Sequence, residues 1–169
     1  MMHPEPKFSV IDLVKSFGDT QVLRGIDLDV MPGESVVVVG GSGAGKTVLL
    51  KHLIGLLQPD EGHVVVAGVD LTMASPQVAL ELRKRFGMSF QEGALFDSMT
   101  IARNIGMALD RVPDMTPEEA EVRTRECLEV VELSGYGDRF PSHLSGGQKK
   151  RAGLARAIAT RPKYLPVSY

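Results

Sequence analysis

"GGSGAGKT", residues 40–47, decides the fold. It fits the pattern G-x-x-x-x-G-K-[ST] and stands between two unlike stretches. Before it runs "SVVVVG" (35–40), a short β-branched apolar run suited to a strand buried on both faces. After it, from Lys46 to Leu57, the residues Leu49, Leu50, Leu53, Ile54 and Leu57 recur at helical spacing. A glycine loop between strand and helix lets successive N–H groups turn inward and meet the positive end of the helix, which makes an anion site. Glycines allow the close backbone approach that side chains would block. Lys46 is placed to reach the β- and γ-phosphates of a nucleotide, and the Thr47 hydroxyl to ligand Mg²⁺.

Outward from this loop, the pattern alternates. "KFSVIDLV" (7–14) reads as a strand, and "GIDLDVMPGE" (25–34) sets Ile26, Leu28 and Val30 against Asp27 and Asp29 before the Pro32-Gly33 turn. "HVVVAG" (63–68) is a further strand. "SPQVALELRKRF" (75–86) is a helix with Ser75 as N-cap and Pro76 in its first turn. "GMSFQ" (87–91) is a brief strand. "TPEEAEVRTRECLEVVEL" (116–133) opens on Thr116, Pro117 and Glu119, a capping box with proline at N1. Strands alternate with helices early and helices dominate later, so an α/β core carrying a helical insertion is expected.

The bulk numbers narrow the class. A chain of 169 residues, 43 % hydrophobic and 24 % charged, is ordinary for one globular domain. Its formal net charge of −2 offers no basic field for nucleic acid. The single cysteine, Cys127, excludes an intramolecular disulfide, fits a reducing compartment and lies in an apolar helical pattern that reads as core. Four scattered histidines show no metal-ligand spacing. Residues 1–10 contain no signal-peptide stretch, and no run of about 18 apolar residues could span a bilayer. A membrane role would therefore go through a partner.

A second motif, "LSGGQKKR" (144–151), precedes the helical pattern "KKRAGLARAIATR". Ser145 and Gln148 alone make an S-x-x-Q capping box. Gly146 and Gly147 are harder to explain that way, since each costs roughly 1 kcal/mol of helix propensity against alanine. They make sense if the helix end must approach a phosphate closely.

Together, Gly40–Thr47 and Leu144–Gln148, with Gln91 between them, resemble the ATP-binding cassette (ABC) ATPases over essentially the whole chain. The resemblance implies an α/β P-loop core with an antiparallel β region and a helical subdomain. In those terms residues 1–91 are the nucleotide-binding core and 92–143 the helical subdomain. Residues 144–161 are the signature motif and its helix, and 162–169 an aberrant end. It implies that Gly40, Gly41, Ser42, Gly43, Ala44, Gly45, Lys46 and Thr47 hold ATP, with Phe17 stacking on adenine. Burial in the core is the plainer alternative for Phe17. Gln91 is implied to contact Mg²⁺, as is Thr47, and to sense a membrane partner. Ser145, Gly146, Gly147 and Gln148 are implied to face ATP held by a second copy, because such domains pair head to tail. The implied partners are a membrane permease subunit and a second ATPase, as a homodimer or with an intact ATPase subunit. The place would be the cytoplasmic face of the inner membrane.

"RKRFGMSFQEGALFDSMTIARNIGMAL" (83–109) is more narrowly similar to Mla-type ATPases, which energise phospholipid transport across the bacterial envelope. In them the stretch after the glutamine lines the groove that receives the permease. Packing of Ala94, Leu95 and Phe96 within the helical subdomain is the plainer alternative. Gln148 departs from this group, which often has methionine there.

The family pattern continues after "LARAIATRPK" with an apolar strand ending Asp-Glu-Pro, whose aspartate helps hold Mg²⁺ and whose glutamate is the general base. These residues instead read "YLPVSY" (164–169), with no Asp or Glu after Arg139. The family's D-loop and switch histidine are absent too. Pro166 cannot donate to a ladder, and an unpaired sheet edge with exposed apolar surface is expected. Three readings stay open: the N-terminal portion of a transport ATPase cut short by frameshift or early stop, a non-catalytic partner completing another ATPase's site, and an inactive remnant. In each, these residues bind ATP better than they cleave it, if they act at all.

Overall fold

Alternating apolar residues and a two-residue turn make the first hairpin. Strand β1 (Phe8–Phe17) turns through Gly18-Asp19 into β2 (Thr20–Val30), antiparallel, with Phe8 opposite Val30 and Phe17 opposite Thr20. A computed structural model describes residues 5–87 and 94–167. It divides into two compact units, one ending at Arg83 and one beginning at Lys84.

In the first unit, β3 (Glu61–Val66) pairs antiparallel with the other edge of β1, and β4 (Val69–Asp70) closes a sheet of order β2-β1-β3-β4. A bulge at Asp12, whose φ is 48°, interrupts the β1 register. Its carbonyl approaches so closely that a β-carbon at Gly62 would lie 2.3 Å away, which only glycine avoids. Val10, Leu13, Leu23, Val64 and Val66 are buried, as are Leu49, Leu53 and Ile54 in and just after helix α1 (Lys46–Leu53). Helix α2 (Pro76–Arg83) starts at Pro76, where the Ser75 hydroxyl accepts from Val78 N at 3.4 Å.

The second unit packs α3 (Ile101–Leu109), α4 (Pro117–Val130) and α5 (Gly146–Ile158) around one apolar cluster. Ile101, Ile105, Cys127, Leu128, Leu133, Ala152 and Ala155 lie in it, and Cys127 is fully buried. The small alanines of α5 let neighbouring helices approach closely.

One expectation fails. The "SVVVVG" run at 35–40 forms no strand, and Val37 and Val39 are 81 % and 87 % exposed. A strand is held by ladder bonds to a neighbour. No described strand pairs with this run, so its β propensity has nothing to act on. Beyond α5, Tyr164 makes an isolated parallel bridge to Phe86 rather than a strand. The expected strand at 87–91 falls almost wholly outside the described residues, as do "FQEG" and Gln91.

Candidate functional site

Helix α1 begins without a side-chain cap. Its N-cap is Gly45, in the left-handed region at φ 85°, so the first-turn N–H groups have no capping oxygen from that residue. By contrast Thr100, Thr116 and Ser145 cap α3, α4 and α5. Positive φ alone favours glycine at 45, and packing adds a second demand. A β-carbon there would stand 2.9 Å from Leu23 Cδ2 and 3.0 Å from Val22 Cγ1. The loop therefore lies hard against β2.

Lys46, the first residue of α1, folds back over the loop. Its Nζ donates to the carbonyls of Gly40 at 2.7 Å and Gly41 at 2.8 Å. The ammonium thus sits at the mouth of the loop, where a phosphate oxygen could replace either carbonyl as acceptor. Gly40, Gly41, Ser42, Gly43 and Ala44 are exposed, and Thr47 is exposed one residue beyond Lys46. The cradle is open to solvent.

Phe17 closes β1 in the same unit and is 49 % exposed. Lys15 Nζ lies 5.7 Å from the centre of its ring. That lysine is in turn held by Asp60, with Nζ to Oδ1 at 2.6 Å, while Ser16 N donates to Asp60 Oδ2 at 2.6 Å. The bond from Lys15, and then that from Ser16, hold the Asp60 carboxyl below its ordinary range. Neither Lys15 nor Asp60 was marked by sequence pattern. Their link spans 45 residues, and only the strand pairing brings them together.

In the second unit, Ser145 caps α5. Its hydroxyl accepts from Gln148 N at 3.3 Å, and Ser145 N donates to Gln148 Oε1 at 2.9 Å. This is the reciprocal box read from the sequence. Gln148 Nε2 also donates to Tyr136 Oη at 3.4 Å. Ser145, Gly146 and Gly147 are exposed, and a β-carbon on either glycine would meet nothing within 4 Å. Packing inside this chain does not call for glycine at 146 or 147. A cleft of about 620 Å³ opens beside α4, between Val112–Met115 and Ala159–Arg161, but it includes neither glycine-rich motif.

Residues 23–166 match the family described as ABC transporter. The chain belongs to the ABC transporter family. Among relatives, it is 42 % identical to the sulfate/thiosulfate import ATP-binding protein CysA of Thermosynechococcus vestitus, over 93 % of this chain and 45 % of that protein. It is 41 % identical to the "Probable ribonucleotide transport ATP-binding protein mkl" of Mycobacterium leprae, over 90 % of this chain and 44 % of the relative. The chain thus spans somewhat under half the length of these relatives. Among solved structures, the dimeric bacterial ABC transporter cassette MJ0796 superposes with a TM-score of 0.87 at 27 % identity, covering 95 % of this chain and 72 % of that one. A dimeric post-hydrolysis state of MJ0796 bound to ADP and Pi superposes with a TM-score of 0.84, also at 27 % identity. The fold is that of an ABC ATPase cassette, a P-loop architecture with an antiparallel sheet and helices. Among the described residues no helix is long and apolar enough to cross a membrane.

Proposed function

We propose that this chain is the ATP-binding part of an ABC transporter subunit, gripping the phosphates of ATP with Gly40–Thr47 and presenting Ser145–Gln148 to ATP held by a second copy. The observation that carries the first half is the uncapped start of α1 with the Lys46 ammonium folded over an open glycine loop. Support for the second half is the unfilled space at Gly146 and Gly147, on a helix end already capped from within. Phe17 at the end of β1 is the platform for adenine, steadied by Lys15 and Asp60.

Magnesium fits this reading. The ion takes one or two protein oxygens and completes its octahedron with phosphate and water. The Thr47 hydroxyl beside Lys46 supplies one such oxygen, with Gln91 assigned as a second. No group of three or more His, Cys, Asp or Glu placed to hold a metal occurs among the described residues. Held there, such an ion would supply positive charge to offset that of the phosphates. Lys46 adds a fixed positive charge, and the first N–H groups of α1 orient the phosphate chain. A membrane permease as partner and a seat on the cytoplasmic face of the inner membrane belong to the same reading, whereas hydrolysis calls for an aspartate and a glutamate that residues 140–169 do not supply.

For cargo, the resemblance of 83–109 to Mla-type ATPases points to phospholipid, a specificity that the named relatives do not support. A second reading, sulfate import, is favoured by the sulfate/thiosulfate import proteins that are 42 % and 44 % identical to this chain. Reconstitution of the natural transporter separates them: ATP-dependent movement of labelled phospholipid between vesicles supports the first, and uptake of labelled sulfate alone overturns it. Pairing is tested by mixing one copy carrying Lys46→Ala with one carrying Ser145→Arg. If the sites are shared, one arrangement keeps a working site and the mixture retains activity that neither variant has alone. Equal inactivity of the mixture would contradict shared sites.

A further inference from the structure

The carbonyl of Ala94 accepts a bond at 2.8 Å from Nη1 of Arg156, a residue 62 positions further along the chain. Ala94 opens the described stretch that follows Gln91, and its φ of 43° is left-handed. Such a conformation in a residue with a β-carbon costs on the order of 1 kcal/mol and persists where its surroundings hold it. Arg156 lies near the end of α5, eleven residues after Ser145 and so roughly 16 Å along the helix axis. Burial lowers the affinity of its guanidinium for a proton, so a good bond is needed to offset desolvation.

The same stretch is fastened at its other end to a different helix. Asn104 of α3 is fully buried. Its Oδ1 accepts from Phe96 N at 2.7 Å, and its Nδ2 donates to the carbonyls of Phe96, Met99 and Thr100 at 3.1, 3.2 and 3.0 Å. Phe96 nevertheless remains 49 % exposed. Residues 94–100 therefore form an outward-facing ledge, bonded to Asn104 of α3 and to Arg156 of α5. The half-buried Arg156 thus ties this surface turn to the helix that carries Ser145–Gln148.

We propose that Arg156 is a positioning residue that transmits displacement of the 94–100 ledge along α5 to Ser145 and Gly147. This rests on the proposed function, in which the start of α5 faces ATP, and on the resemblance that sets the stretch after Gln91 against the permease. Pushing on the ledge moves the Ala94 carbonyl, the Arg156 bond carries that motion to α5, and the two exposed glycines shift against the bound phosphate. Asn104 keeps the ledge from absorbing the motion by bending.

The test uses Arg156→Met, which keeps length but removes every donor, and Arg156→Lys, which keeps one. In the natural transporter assembled with its membrane subunit, Arg156→Met should lower partner-stimulated kcat about tenfold, in the range typical of coupling between sites. KM for ATP and the unstimulated rate should stay within about twofold. Arg156→Lys should recover most of the stimulation. An equal fall in stimulated and unstimulated rates, or no recovery by lysine, would overturn the proposal and leave Arg156 as a packing residue. If the methionine variant does not fold, amide hydrogen exchange of the lysine variant decides. Faster exchange at 95–100 together with 145–148 is expected, and a change confined to one stretch contradicts the link. Exchange needs no nucleotide, so its outcome is separate from failure of wild-type protein to bind ATP, which would sink the underlying reading instead.

Discussion

Two helices in this molecule start behind glycines, and they start in opposite ways. At α1 the glycine is demanded from within: Gly45 has φ 85°, and a β-carbon would collide with Val22 and Leu23. Gly45 offers no side-chain cap to that helix. At α5 the cap is complete, made by Ser145 and Gln148, and the glycines at 146 and 147 have empty space around them. The first start is a cradle shaped by its own chain. The second is a smooth end on which packing within the chain makes no demand for glycine. The difference teaches that a glycine can record an internal constraint or an external one, and that a search for collisions tells them apart.

The comparison can be broken most sharply at Lys46. Lys46→Ala removes the charge at the mouth of the loop and should weaken ATP binding about tenfold to a hundredfold, the worth of a lost charge-assisted bond. Equilibrium binding measures it, with thermal unfolding as the control for intact folding. Next comes Gly45→Ala, which forces a β-carbon into both a left-handed φ and a collision. It should destabilise the first unit by about 1–3 kcal/mol, read from denaturant unfolding, and weaken ATP binding less than Lys46→Ala does.

Gly147→Ala should have the opposite sign. In a helix turn with open space, alanine is favoured over glycine, so the chain should become more stable by roughly 0.5–1 kcal/mol. Activity of the paired protein should fall at the same time. A variant that gains stability and keeps full activity would remove the case for an external constraint.

The smallest effect concerns Asp60 and is a matter of sign. Its pKa is lowered in the folded protein, so its contribution is present above the ordinary carboxylate range and disappears as pH falls through the lowered value. Asp60→Asn should therefore melt earlier than wild type near pH 7, and the two should converge as acid protonates the Asp60 carboxyl, below the ordinary carboxylate range. A gap that stays constant with pH would show that the Lys15 bond is not its source. Because the pair is exposed, salt should narrow the gap.

These residues also show what was legible beforehand. The capping boxes at Thr116–Glu119 and Ser145–Gln148 could be read directly, since every group in them lies within one turn. The phosphate loop was legible for the same reason. The valines at 36–39 misled because a strand is a property of a pair, and the described sheet pairs elsewhere. Lys15 with Asp60, and Asn104 with the 96–100 turn, carried no local pattern. Their bonds depend on register and packing rather than on spacing. Phe17 lies exposed at a strand end, and the lysine beside it is found only in three dimensions.

Calorimetric titration of MgATP into the 169-residue chain tests the central contrast most directly. Saturable one-site heat from wild type, retained by Gly147→Ala and lost or greatly weakened in Lys46→Ala, is the result expected. No heat from folded wild-type protein, or equal heat from Lys46→Ala, would contradict it.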